Sequence, residues 1–258
     1  MTPVIRLLFL CALAGSTTSS DPEVFMDTIE IIKYWGYPAE RVEVVTEDGY
    51  ILQLHHIKSG RNQAAEDPNR PVVFLMHGLL AASDVWVSNL PNESAGMILL
   101  TPSLEAWFSW DEMATFDLPA SIDAVLERTG QSYLYYVGHS QGTTILFARN
   151  SENQELKGKI RKHFALAPIA TIKYMKGLFA FFAHYFYTSW QKKVTLLGSS
   201  DFLPSSWLTK PIPPEYNISN VNIDTYLFWG DKDYLADPQD VKQGLLPYLN
   251  PQILKGTV

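Results

Sequence analysis

The stretch "YLYYVGHSQGTTI", Tyr133–Ile145, decides how this chain is read. An apolar and aromatic run ends at Gly138, one serine stands between two glycines, and a helix-like run follows. The pattern Gly138-His139-Ser140-Gln141-Gly142 is G-x-S-x-G. It marks a sharp strand-to-helix turn that presents a serine hydroxyl to a substrate. Glycine two residues before and two after removes side chains that would clash at so tight a bend. Five residues match such a pattern often by chance, but the buried strand before it and the helix after it make the conjunction specific. The alternative is a serine at an ordinary strand-to-helix turn.

Working outward, strand-like runs alternate with helix-like ones. "RVEVVTEDGYILQLHHI" (Arg41–Ile57) reads as a hairpin around Glu47-Asp48-Gly49. "PVVFLMHG" (Pro71–Gly78) is a continuous apolar run ending in glycine, the mark of a strand buried on both faces. "SWDEMATFDLPASIDAVLERTG" (Ser109–Gly130) has helical spacing and stops at a glycine. "HFALAP" (His163–Pro168) and "IDTYLFWG" (Ile223–Gly230) are further short strands. The alternation predicts an α/β domain with a mostly parallel sheet. From Tyr174 to Leu197 eight aromatics crowd the chain. This segment reads either as a helix packed on the core or as an apolar cap over a site, able to meet a lipid surface.

A chain of 258 residues with 47% hydrophobic and 18% charged residues suits one large domain. Its net charge of -7 argues against nucleic acid as a partner. The N-terminus, "MTPVIRLLFLCALAGSTTSS", has the layout of a secretory signal peptide over residues 1–20: an arginine, a short apolar run and small residues. The single cysteine, Cys11, lies inside it, so the exported chain is expected to carry no disulfide. The sequons at Asn92 and Asn217 are then glycosylation acceptors.

A serine nucleophile needs a base, an acid to orient that base, and donors for the oxyanion. One donor is the N–H after the nucleophile, Gln141. The other comes from the loop after the "PVVFL" strand, where Leu79 is the choice. His77-Gly78 there is expected to shape the loop, and His139 to pack beside the strand end. The acid follows the serine in sequence. "WGDKDYLADPQDV" offers Asp233 first, then Asp231 and Asp237, with turn or helix-cap roles as the alternative for all three.

These residues resemble the acid lipase family, the gastric and lysosomal lipases of the α/β-hydrolase fold. The resemblance rests on "YWGYPAERVEVVTEDGYIL", "RPVVFLMHGLLAASDVWVSNLP", "FSWDEMATFDLPASID", "YYVGHSQGTT", "FALAPIATIKY" and "DKDYLADPQDV". It implies one hydrolase domain over 21–258 with a shortened helical cap at about 174–215. It also implies hydrolysis of triglycerides and cholesteryl esters, transient contact with a lipid surface through the cap, and a secreted or lysosomal location. No metal or organic cofactor is implied. Ser140 matches the family's nucleophile, Asp233 its acid, and Leu79 and Gln141 its oxyanion donors.

Three departures follow from the same comparison. After "AGMILL" (Ala95–Leu100) a core strand is expected to be missing. The cap is short. The chain ends at "NPQILKGTV", roughly where the family's last strand begins, so that strand, the helix after it and the family's histidine are expected to be missing; no histidine follows His184. His184, His163, His55 and His56 are poor substitutes, because a base must reach hydrogen-bond distance of the serine. Two alternatives to an active lipase therefore stand: a lipid-binding relative without turnover, and a non-functional truncated isoform.

Overall fold

A computed structural model describes residues 21–63, 69–99, 102–105, 110–177 and 216–258. The expected signal segment, His184 and almost all of the expected cap at about 174–215 lie outside the described residues. The architecture is an eight-stranded sheet in the order β1-β2-β4-β3-β5-β6-β7-β8. The strands are β1 (Ala39–Val45), β2 (Ile51–Ile57), β3 (Val73–Met76), β4 (Pro102–Glu105), β5 (Leu134–His139), β6 (Ile160–Leu166), β7 (Thr225–Phe228) and β8 (Leu254–Thr257). β1 and β2 form the expected antiparallel hairpin, with Gly49 at φ 90° in its turn. From β4 to β8 all neighbours run parallel.

The helices are α1 (Thr28–Tyr34), α2 (Ala95–Leu99), α3 (Trp110–Glu112), α4 (Leu118–Thr129), α5 (Gln141–Glu152) and α6 (Pro238–Asp240). α3 runs into α4 through a π-helical segment, Met113–Asp117, so the helix expected between Ser109 and Gly130 carries a bulge. Gly130 ends it in the left-handed conformation, at φ 66°. Asp27 and Glu30 form a capping box on α1, satisfying two of its free N–H groups.

Two expectations need correction. The core strand expected to be missing is present: Pro102–Glu105 fills the place between β2 and β3. Four residues suffice, because a strand is defined by main-chain pairing: β4 pairs four residues with β2 and one, Ser103 with Leu75, with β3. The last strand is also present, as β8 pairing with β7. Half exposed at a sheet edge, "LKGT" forms this strand without an apolar run.

Alternation along the central strands feeds two cores. Phe74 and Met76 of β3, with Leu134 and Tyr136 of β5, face Ile122 and Val125 of α4 and Ile145 of α5. Leu75 and Val137 point the other way, onto Ile29 and Ile32 of α1, Trp86 and Met97. A third cluster joins Phe147 of α5 and Leu227 of β7 to Val241 and Leu245 beyond α6. Each such buried side chain contributes about 1.5–3 kcal/mol. The continuous apolar runs of β3 and β5 are explained by this covering of both faces. It anchors both strands, so their C-terminal ends are rigid platforms for the loops that follow.

Candidate active site

Ser140 stands between β5 and α5 with φ 52° and ψ −117°, a backbone that residues with side chains rarely adopt. Its N–H donates to the carbonyl of Leu166 at 2.9 Å, which fixes the turn to β6. Its own carbonyl accepts from the N–H of Thr143 at 2.9 Å and from the Thr143 hydroxyl at 2.7 Å. The glycines are required by contact. A Cβ on Gly138 would lie 2.8 Å from the carbonyl oxygen of Gly142, and one on Gly142 2.6 Å from that of Met76. A Cβ on Gly78 would lie 3.0 Å from the Cβ of Ser140, so the loop after β3 packs directly against the elbow.

That loop carries Leu79, the residue expected as the second donor. His77 is buried and its Nδ1 lies 2.9 Å from the carbonyl of Gly78, consistent with a role in shaping the loop. Leu80 follows with φ 56°. Among the described residues the main-chain N–H groups of Leu79 and Gln141 donate to no protein acceptor. Two unspent donors flanking a strained serine are what a developing oxyanion requires.

The three aspartates after β7 separate by environment. Asp231 is 84% exposed and, among the described residues, pairs with Lys242. Asp237 is buried, caps α6 through the N–H of Gln239, and binds Lys176 at 2.7 Å, whose hydrogen bond holds its carboxyl below the usual range. Asp233 is half-buried, and its Oδ1 accepts from the N–H groups of Leu235 and Ala236 at 2.9 and 3.0 Å. Among the described residues no donor meets its other oxygen. Strand β6 separates β5 from β7, so Asp233 and Ser140 rise from strand ends about 10 Å apart. An imidazole between the two could bridge that gap.

Five of the six histidines are described, and among them no imidazole is hydrogen-bonded to the Ser140 hydroxyl. His163 is within β6 and is buried between the rings of Tyr136 and Phe147 at 5.3 and 5.0 Å. Burial pulls its pKa down to about 3. His55 and His56 lie in β2. His139 sits edge-on to Trp86 at 6.4 Å. Burial lowers its pKa, the Asp233 carboxylate opposes that, and His77 adds to it. The loop that carries Asp233 therefore lies close enough to the elbow for its charge to act on His139.

Several site features were not legible beforehand. Leu80, Ser140 and Ala167, at φ 56°, 52° and 48°, are the non-glycine residues of positive φ among those described. All three lie just past the C-terminal ends of the adjacent strands β3, β5 and β6. Such strain gathers where the fold over-determines a functional geometry. Thr143 and Thr144 brace the elbow: Thr143 Oγ1 accepts from the N–H of Ile169, and Thr144 Oγ1 donates to its carbonyl. The pair "TT" after the elbow was the available signal. Exposed apolar side chains, Leu79, Leu80, Ile172, Tyr234 and Leu235, stand on the loops around the serine.

Asn92 and Asn217 are both exposed. Among the described residues no group of three or more acidic, histidine or cysteine side chains could hold a metal ion, and no helix is long and apolar enough to cross a membrane.

Comparison with known proteins gives the family and the fold. Residues 28–90 match the family described as partial alpha/beta-hydrolase lipase region, and residues 71–169 match the alpha/beta hydrolase fold. Lipase lipl-3 of Caenorhabditis elegans is 33% identical, with 96% of this chain and 88% of the relative covered. That alignment runs over 357 positions, more than the length of this chain, so the relative carries segments without a counterpart here. Human gastric triacylglycerol lipase is 46% identical over 64% of this chain and 48% of its own. Among solved structures, a bacterial membrane phospholipase A superposes with a TM-score of 0.57 at 15% identity, covering 98% of this chain and 89% of that one. The naproxen esterase of Bacillus subtilis gives 0.55 at 12%, covering 90% and 91%. The sheet order, the serine elbow and these sequence matches agree: the chain belongs to the acid lipase family of α/β hydrolases.

Proposed function

We propose that this protein is a serine ester hydrolase of neutral lipids, with triglycerides and cholesteryl esters as the substrate class. Ser140 attacks the ester carbonyl, the N–H groups of Leu79 and Gln141 receive the oxyanion, and Asp233 orients the imidazole that accepts the serine proton. The observation that carries this reading is the strained Ser140 turn with two unspent amides beside it. The exposed apolar side chains around it suit an acyl chain. His184, the one histidine outside the described residues, is the candidate base to test next. Residues 21–258 are read as one hydrolase domain whose cap, at about 174–215, meets the lipid surface, and the protein as secreted or lysosomal.

The test is hydrolysis of a short-chain chromogenic ester by the purified protein, beside Ser140→Ala and Asp233→Asn. Loss of roughly a thousandfold or more in each variant supports the reading. A second reading is a lipid binder without turnover. It is favoured by the lack of an imidazole on Ser140 among the described residues. Tight binding of a fluorescent lipid ester by folded protein, with no Ser140-dependent hydrolysis, would establish it instead.

A further inference from the structure

Behind the acid loop lies a second set of carboxylates that the proposed chemistry does not use. Asp240, at the end of α6, is 4% exposed and has no Lys or Arg partner among the described residues. Its charge is met instead by three donors from one segment. Thr171 Oγ1 donates to Oδ1 at 2.6 Å, the N–H of Lys173 to Oδ1 at 2.9 Å, and the N–H of Tyr174 to Oδ2 at 2.8 Å. Hydrogen bonds to an ionised, buried acceptor are the strong ones.

The same segment then reaches the acid loop. The N–H of Lys176 donates to the carbonyl of Tyr234 at 2.8 Å, and its ammonium binds Asp237 at 2.7 Å. Tyr234 is the residue after Asp233. The helix beyond α6 is shaped for this contact. It widens into a π-helical segment, Val241–Leu245, and a side chain at Gly244 within it would collide with Thr171 Oγ1. A π-bulge with a glycine at the point of closest approach is a costly local arrangement, and such bulges recur at functional sites.

We infer that Asp240 is a positioning residue: it grips residues 171–174 so that Lys176 pins Tyr234 and holds the Asp233 carboxylate in place. Asp233 keeps its own turn by accepting from Leu235 and Ala236. Residues 171–176 thus form a strut between the buried end of α6 and the loop that carries the acid. The inference rests on Asp233 being the catalytic acid, as proposed above.

The test uses the full chain with Asp240→Asn and Gly244→Ala. The first weakens the grip; the second displaces Thr171 without changing any charge. Amide hydrogen exchange is followed at Leu235 and Ala236, with β5 as internal reference, and kcat and KM are measured on a soluble ester. The expected result is exchange at least tenfold faster at Leu235 and Ala236 in both variants, β5 unchanged, and kcat down roughly ten- to a hundredfold with KM held. Unchanged exchange at those amides, or equal acceleration throughout the molecule, overturns the inference. Should Asp240→Asn fail to fold, Gly244→Ala decides by the same criteria. Should the parent protein show no Ser140-dependent turnover, the enzyme reading fails, and the exchange result alone decides whether the strut holds the loop.

Discussion

The phenol of Tyr136, wholly buried in β5, donates a 2.7 Å hydrogen bond to the carbonyl of Gly142 in the first turn of α5. Burial raises the pKa of that phenol well above its ordinary value, so it stays a donor throughout the working range. The bond ties strand to helix across the elbow from below. Tyr136→Phe keeps the ring stacked on Phe74 and removes only the donor. It is expected to cost about 1 kcal/mol in urea unfolding and to lower Ser140-dependent turnover.

Gly142 is less tolerant. A methyl there would meet the carbonyl oxygens of Met76 at 2.6 Å and of His77 at 2.8 Å, and neither backbone can give way cheaply. Gly142→Ala is expected to cost about 2 kcal/mol or more and to lower Tm by about 5 °C. Gly158→Ala is the control. It has open space around it and an ordinary helical backbone, so its Tm should stay the same or rise slightly.

Asp117 makes stability depend on pH. It is 2% exposed and its Oδ2 has no partner among the described residues. Burial first, then the carboxylates of Asp48 and Glu112, push its pKa up to about 7 from 3.8. The folded protein therefore holds a proton that the unfolded chain releases, and stability falls as pH rises from about 4 to 7. Asp117→Asn should flatten that slope and raise stability at pH 7 by on the order of 3 kcal/mol, read from urea midpoints across pH.

His163 acts in the opposite sense. Burial lowers its pKa to about 3 from 6.5, so the unfolded chain takes up a proton first on acidification. Stability from this residue rises with pH between about 3 and 6.5. His163→Phe should fit between Tyr136 and Phe147 and relieve the acid-side loss. Thermal melts at pH 4 and pH 7 on both single variants separate the two slopes.

The sequons give a test of export. Asn217 is exposed, and its Oδ1 accepts from the N–H of Ser219 at 3.1 Å and from its hydroxyl at 2.6 Å. Asn92 is also exposed. Expression in a eukaryotic secretory host should yield two glycans. Asn92→Gln and Asn217→Gln should each remove one, as a mass shift sensitive to glycosidase.

Local pattern determined much of this protein. The runs at Val73–Met76 and Leu134–His139 announced buried strands because both faces of each are covered, leaving no polar alternation to blur the signal. Gly138 and Gly142 announced the elbow because only glycine fits beside neighbouring carbonyls. What tertiary structure decided is of another kind. β4 and β8 exist because neighbouring strands offer unpaired main-chain groups, and a short segment can accept that pairing with no apolar run. The positive φ of Leu80 and Ala167 is imposed by packing at the strand ends, not by residue type. Asp240 looked like any helix carboxylate in the sequence. Its three donors lie more than sixty positions away, and only the folded chain brings them within hydrogen-bond reach.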